Sequence, residues 1–128
     1  MNVILYNQGT LSMHELVKIS KALADETRVR MLKLLWEQGL CICEMREVFP
    51  LSQSQVSRSL RALMDAGFLK RWREGKHVCY LVDRNSSNRY CRGILDAFAE
   101  SLNDDPMVIR ARQKLQDVIA RQVRERKK

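Results

Sequence analysis

The sequence predicts a mainly α-helical protein with one small β-hairpin. Apolar residues recur at helical spacing through most of the chain, and two short helical stretches between Gly39 and Gly67 flank a break at Pro50. Two β-compatible runs follow this segment directly. Two helices joined by a tight turn form a helix-turn-helix, and a hairpin placed straight after it makes a winged helix. We therefore predict a winged helix-turn-helix fold.

Three helices are predicted before the turn. An apolar stripe predicts the first helix over about residues 12–24, and Asp25 can cap the second, which covers residues 26–38 and ends at Gly39. A short third helix is predicted from near Cys41 to Val48. The apolar positions that support the first two helices are Leu16, Ile19, Leu23, Val29, Leu32 and Trp36.

The second half of the motif begins after the proline. Ser52 followed by Gln55 has the form of a capping box, and Val56, Leu60 and Leu63 recur at helical spacing, so this helix is predicted over residues 52–66. Residues 68–73 and 76–82 then read as strands joined by Glu74-Gly75, a short hairpin with basic residues near its tip.

The remainder is predicted to be helical again. Cys91, Ile94, Leu95, Phe98 and Leu102 share one face, residues 103–106 interrupt the pattern, and an apolar stripe resumes from Val108 to Ile119. The last eight residues, RQVRERKK, are predicted to be a frayed basic tail. We therefore expect a DNA-binding and dimerisation domain over residues 1–103 and a helical extension with a basic tail over residues 104–128.

Composition favours a polyanionic partner. The 23 basic and 15 acidic residues give a net charge of +8, which suits nucleic acid, although a basic surface alone also suits an anionic membrane. The first fourteen residues lack a basic leader with a long apolar core, and no run approaches the roughly 20 apolar residues of a membrane span. We expect a cytoplasmic protein with no membrane partner, and cysteines that stay reduced: Cys41, Cys43, Cys79 and Cys91.

The polar face of the helix over residues 52–66 has the chemistry to read DNA. Arginine pairs with guanine and glutamine with adenine in the major groove, and basic residues on a wing contact phosphate or the minor groove. His77 joins the wing set, with a plain surface imidazole as the alternative. The candidates are Gln53, Ser54, Gln55, Ser57, Arg58, Arg61, Arg71, Arg73, Lys76 and His77.

Three ordered motifs resemble the ArsR/SmtB family of bacterial metal-responsive repressors. KALADETRVRMLKLL resembles the family's opening signature, LCICEM resembles the Cys-x-Cys box of its arsenic- and cadmium-sensing branches, and SQSQVSRSLRALMDAGFL with GKHVCYLV resembles its reading helix and wing. The resemblance implies a transcriptional repressor that is not an enzyme, uses no organic cofactor and binds double-stranded operator DNA. It also implies a homodimer formed through residues 16–23 and 94–102; a monomer that folds these stripes into its own core is the alternative.

Cys41 and Cys43 are candidate ligands for a soft ion, because thiolates prefer such ions. Arsenite favours three sulfurs, and the position that often carries a third box cysteine is Arg46. The third ligand is therefore left open between Cys91, ranked slightly first, Cys79 and a small-molecule thiol. The chain lacks the His and Asp set of the zinc-sensing branch and the N-terminal cysteines of the cadmium branch.

The resulting hypothesis is a repressor that leaves its operator when trivalent arsenic or antimony binds these thiols. Side chains two residues apart on a helix point in directions that differ by about 200°. We therefore expect the third helix to distort when both sulfurs bind one ion. The alternatives are a thiol-redox switch and a cadmium- or lead-responsive repressor of the same fold. A thiol enzyme such as an arsenate reductase is disfavoured, because neither a phosphate-cradling glycine loop nor a histidine near the pair is present in the sequence.

Overall fold

The computed structural model describes residues 12–126, so the expectation about the first residues concerns a segment that is largely outside it. The predicted helices and hairpin are confirmed. In chain order the elements are α1 (Met13–Leu23), α2 (Glu26–Glu37), β1 (Leu40–Cys41), α3 (Ile42–Val48), α4 (Gln53–Ala66), β2 (Leu69–Glu74), β3 (His77–Val82), α5 (Arg89–Ala99) and α6 (Pro106–Arg126).

Asp25 and Arg28 make the junction between α1 and α2. The Asp25 carboxylate accepts a hydrogen bond from the backbone N–H of Arg28 at 3.0 Å, which caps the start of α2. The Arg28 guanidinium donates to the carbonyl oxygens of Ala22 and Lys21 at 2.7 and 2.8 Å, which caps the end of α1. One short sequence motif therefore fixes both helix ends at this corner.

The core is centred on α2, whose residues 31–35 are all buried. Lys33 is among them, and its Nζ donates to the carbonyl oxygen of Phe98 near the end of α5 at 2.7 Å. Burial lowers the pKa of Lys33, and the neighbouring Arg112 charge lowers it further, while Glu37 opposes the shift. Its long alkyl chain packs in the core and its ammonium group ties α2 to α5.

The wing sheet has three antiparallel strands in the order β1-β3-β2. Leu40 pairs with Tyr80 and Cys41 with Cys79, so β1 adds a strand that the sequence analysis did not predict. A two-residue strand carries almost no local signal, because it exists only through pairing with residues far along the chain. The hairpin turn lies at Gly75, whose φ of 59° favours glycine.

The C-terminal segment differs from the prediction in two places. The predicted frayed tail is wrong up to Arg126, because α6 continues to that residue. The buried stripe of α6 packs against α2 and α3, and its surface forms ion pairs from Arg112 to Glu37 at 2.8 Å and from Arg121 to Glu47. Leu102 lies beyond the end of α5 with a φ of 63°, so it does not continue that helix's face. In the part of the chain that the structure covers, every helix is too short or too polar to cross a membrane.

Candidate DNA-reading surface and thiol cluster

Helix α4 buries one face and exposes the other. Val56, Leu60 and Leu63 pack in the core, and Gly67 ends the helix in a left-handed conformation with a φ of 102°. The opposite face leaves five of the six predicted reading residues exposed and Ser57 half-buried. The exposed five are Gln53, Ser54, Gln55, Arg58 and Arg61.

Two of these residues also have structural roles at the start of α4. The Ser52 hydroxyl accepts a hydrogen bond from the backbone N–H of Gln55 at 3.2 Å, and the Gln55 side-chain oxygen accepts one from the N–H of Ser52 at 2.9 Å. The predicted capping box is thus confirmed. Ser54 lies 3.3 Å from the Ser52 hydroxyl, so Gln53, Arg58 and Arg61 are the freest side chains on this surface.

The wing carries different chemistry on its two faces. Arg71 is paired with Tyr80 and Arg73 with Val78, so both arginines project from the face that leads into the core. Side chains alternate along a strand, so Trp72 and Glu74 lie on the opposite face. The exposed Arg71, Arg73 and Lys76 remain available for phosphate.

Cys41 and Cys79 are joined by a disulfide, so the expectation that all four cysteines are reduced is not met in this structure. The two residues are directly opposite in the β1–β3 ladder, with Cα atoms 3.8 Å apart. Directly paired residues of an antiparallel ladder place their side chains together on one face. Local sequence patterns do not predict this contact, because the two partners are 38 residues apart in the chain.

Cys43 and His77 meet beside this pair. The Cys43 sulfur is exposed and lies 3.9 Å from Nδ1 of His77, the first residue of β3. His77 and Cys79 are two residues apart on the same strand and face the same side, about 7 Å apart at the strand repeat. The Glu74 carboxylate also lies here, with Cys41, Glu74 and Cys79 presenting ligand atoms within 4.8 Å of one another. We call Cys41, Cys43, Glu74, His77 and Cys79 the thiol cluster.

Cys91, the other candidate third ligand, lies elsewhere. It is fully buried in α5, and its thiol donates to the carbonyl oxygen of Ala66 at 3.1 Å. Burial raises the pKa of this thiol to about 11, which keeps it protonated at neutral pH. The structure therefore brings Cys79 to Cys41 and holds Cys91 in the core.

The geometry of the Cys-x-Cys pair also differs from the prediction. Cys41 is the N-cap of α3, with extended backbone at φ −84° and ψ 160°, and only Cys43 lies within the helix. The argument that both sulfurs project from one regular helix is therefore wrong. Glu44 holds this helix start by accepting a hydrogen bond from the N–H of Cys41 at 2.8 Å.

An open cleft connects the thiol cluster to the reading surface. It has a volume of about 200 Å³ and is lined by residues of α3, the start of α4 and the wing, including Cys43, Arg46, Gln53, Lys76 and His77. Gln53 and Lys76 are predicted DNA contacts, whereas Cys43 is a predicted ligand. Cys43 therefore shares one cleft with two of the predicted DNA contacts.

The predicted dimer helices leave apolar groups uncovered. Leu16 and Val17 of α1 are each 44% exposed, and only Ile19 and Ala22 of that helix are buried. In α5, Tyr90 is exposed and Ile94 and Phe98 are half-buried. The single chain thus does not use these stripes fully for its own core.

Comparison with known proteins agrees with this architecture. Residues 25–71 match the family described as "Bacterial regulatory protein, arsR family". The arsenic resistance transcriptional regulator ArsR1 of Pseudomonas putida is 37% identical over 93 residues, 70% of this chain and 73% of that protein. A cadmium resistance regulatory protein CadC homolog of Staphylococcus aureus is 37% identical over 70 residues, 54% of this chain and 58% of that protein.

A solved structure shares the fold at lower sequence identity. The homodimeric winged helix-turn-helix DNA-binding domain of Mb0332 from Mycobacterium bovis superimposes with a TM-score of 0.58 and 20% identity, covering 73% of this chain and 82% of that one. The helix-turn-helix and the wing of the structure point to the same family as the 93-residue match to ArsR1. The chain therefore belongs to the ArsR family of DNA-binding transcriptional regulators, which are not enzymes.

Proposed function

We propose that this protein is an arsenite- or antimonite-responsive repressor that binds operator DNA as a homodimer and leaves it when trivalent arsenic binds Cys41, Cys43 and Cys79. The observation that carries the proposal is the direct contact of Cys41 with Cys79 across the β1–β3 ladder, two residues along the chain from Cys43, which lines the cleft beside α4 and the wing. Soft thiolates suit a trivalent metalloid, and a set of three satisfies its preferred ligand number. The 37% identity to ArsR1, an arsenic resistance transcriptional regulator, supports trivalent arsenic as the inducer.

DNA binding follows from the two faces described above. We propose that Gln53, Arg58 and Arg61 reach base edges, while Arg71, Arg73 and Lys76 contact phosphate. A second copy doubles the contacts and accounts for the uncovered apolar stripes of α1 and α5, because dimeric helix-turn-helix proteins read two half-sites. Replacing Leu16 with Glu should shift the protein from dimer to monomer in light scattering, whereas the same change at the exposed Lys18 should leave the dimer intact.

Release follows from the elements that carry the three thiols. Cys41 lies in β1, Cys43 in the first turn of α3 and Cys79 in β3. Binding of all three sulfurs to one ion should therefore change the position of α3 relative to the wing. Gln53 and Lys76 line the same cleft as Cys43, so we expect a shift of α3 to displace them. The DNA-facing residues then lose the spacing that fits one groove.

The test is a gel shift on the gene's own promoter, with the protein fully reduced, with and without arsenite. We expect Cys41→Ser, Cys43→Ser and Cys79→Ser to bind DNA but stay bound when arsenite is added. Cys91→Ser is the matched control and should respond like the unaltered chain. Normal release by the Cys41→Ser/Cys43→Ser double variant would overturn the proposal.

The disulfide supports a second candidate, a redox-responsive repressor. Two thiols and one hydrogen peroxide give the Cys41–Cys79 disulfide and two waters, and a reductant returns two electrons and two protons to restore the thiols. Because the bond joins β1 to β3, oxidation changes the base of the wing. Arsenite titration under full reduction separates the two: release favours metalloid sensing, whereas release only after peroxide favours the redox function.

A further inference from the structure

A positively charged cleft lies between α2, α6 and the turn that joins α3 to α4. Its volume is about 410 Å³, and three of its ten lining residues are the cations Arg30, Arg110 and Lys114. None of the ten is acidic, and apolar residues such as Phe49 and Leu51 make up most of the remainder. A cleft lined by one sign of charge, with walls of low dielectric constant, concentrates ions of the opposite sign. This cleft is therefore suited to an anion.

Two of the cations are free to bind that anion. Arg112 and Arg121, on the same helix, are paired with acidic residues of α2 and α3. Arg110 and Lys114 are exposed, and neither forms an ion pair within residues 12–126. Residues four apart on a helix are neighbours on its surface, so the guanidinium and the ammonium group project side by side at the cleft.

Arg30 separates this cleft from a neighbouring one of opposite charge. It lines both, and the acidic residues Asp25, Glu26 and Asp105 belong to the second cleft. The Arg30 guanidinium lies 5.9 Å from the centre of the Phe49 ring, so its charge is held beside the turn by aromatic packing. The positive charge of this region therefore faces the helix-turn-helix, and the negative charge faces away from it.

The cleft adjoins the start of the reading helix. Pro50 and Leu51 line it, and Gln53, a proposed base contact, follows Leu51 by two residues and begins α4. In a helix-turn-helix the first helix crosses the DNA backbone while the second enters the major groove. Duplex DNA carries one negative charge for about every 1.7 Å of its length, so cations beside this turn lie close to phosphate when α4 is in the groove.

We propose that Arg110 and Lys114 bind backbone phosphates of duplex DNA, which makes α6 a third DNA-contacting element beside α4 and the wing. The inference rests on the proposed binding of operator DNA as a dimer. It goes beyond that proposal, because α6 lies outside residues 25–71, which match the family. Phosphate contacts carry no sequence information, so α6 should raise the affinity for every duplex by a similar factor.

The test is the salt dependence of DNA binding, measured by fluorescence anisotropy with the reduced full chain and a duplex from the gene's own promoter. Each phosphate contact contributes about 0.9 to the slope of log K against log salt concentration. Loss of two contacts in each protomer of a dimer should therefore reduce the slope of Arg110→Gln/Lys114→Gln by about 3.6. The affinities for the promoter and for a scrambled duplex of equal length should fall by the same factor.

Two further variants separate position from charge. Arg110→Lys/Lys114→Arg keeps both charges and should keep the slope of the unaltered chain. Lys18→Gln/Arg89→Gln removes two exposed charges that do not line the cleft, and it should also leave the slope unchanged. An equal loss of slope in this control and in Arg110→Gln/Lys114→Gln would overturn the inference, because only the net charge would then matter.

The remaining outcomes distinguish the inference from the proposed function. Tight promoter binding with an unchanged slope in Arg110→Gln/Lys114→Gln would overturn the inference alone. An unchanged slope together with saturable binding of anilinonaphthalene sulfonate, lost in the same variant, would assign the cleft to a small apolar anion instead. An unaltered chain that binds no duplex would overturn both.

Discussion

Replacing Gly39 with Ala should destabilise the base of the wing. A Cβ at this position would overlap the ring of Trp72, which lies across the glycine backbone. Overpacking of this kind costs about 1–3 kcal/mol. The indole can avoid the clash by moving into solvent, because it is already 37% exposed.

The movement of the Trp72 indole into solvent sets an upper limit on the free-energy cost of the substitution. A fully buried tryptophan removes about 150–250 Å² from water, so the covered part of Trp72 amounts to roughly 100–160 Å². At about 25 cal/mol per Å², exposing all of it costs about 2.5–4 kcal/mol. We therefore expect Gly39→Ala to lower the free energy of unfolding by about 1–3 kcal/mol, with some loss of the Trp72–Glu74 hydrogen bond.

The assay is urea unfolding of the reduced protein, followed by circular dichroism, in a double-mutant cycle with Trp72→Val. Removing the ring removes the obstacle, so Gly39→Ala should be neutral within about 0.5 kcal/mol in the Trp72→Val background. Equal costs in both backgrounds would show that the ring is not the reason for the glycine. A neutral Gly39→Ala in the unaltered chain would refute the packing itself.

Three other predictions concern single groups. Burial raises the pKa of Cys91 to about 11, so iodoacetamide at pH 8 should label this thiol about 100-fold more slowly than the cysteine of an unstructured peptide. Peptide mass mapping measures the labelling, and equal rates would contradict the burial of Cys91. The pKa of Lys33 is lowered in the folded state, so the unfolded chain binds more protons as the pH approaches 10.5 from below. The free energy of unfolding, measured by urea titration relative to Lys33→Met, should therefore rise with pH toward that value. A difference between the two proteins that does not depend on pH would contradict the shift. Ser52→Ala removes the cap of α4 and should cost about 1 kcal/mol in the same unfolding assay, while Ser87→Ala, in an exposed loop, should cost nothing measurable.

The local features of this fold were predictable because short-range chemistry sets them. Asp25 and Ser52 cap helices through bonds within three residues, and Gly67 ends α4 by adopting a left-handed conformation. Helical spacing likewise placed Val56, Leu60 and Leu63 in the core. The family resemblance rested on these same ordered motifs.

The sequence by itself determined the order of the helices, the wing and the exposed polar face of α4, because each depends on neighbouring residues. Only the tertiary structure decided that Cys79 rather than Cys91 contacts Cys41, that His77 lies beside Cys43, and that α6 continues as far as Arg126. These contacts join residues dozens of positions apart through strand register and helix packing. No local sequence pattern predicts these contacts, because residues that are far apart in the chain can be direct neighbours in a sheet.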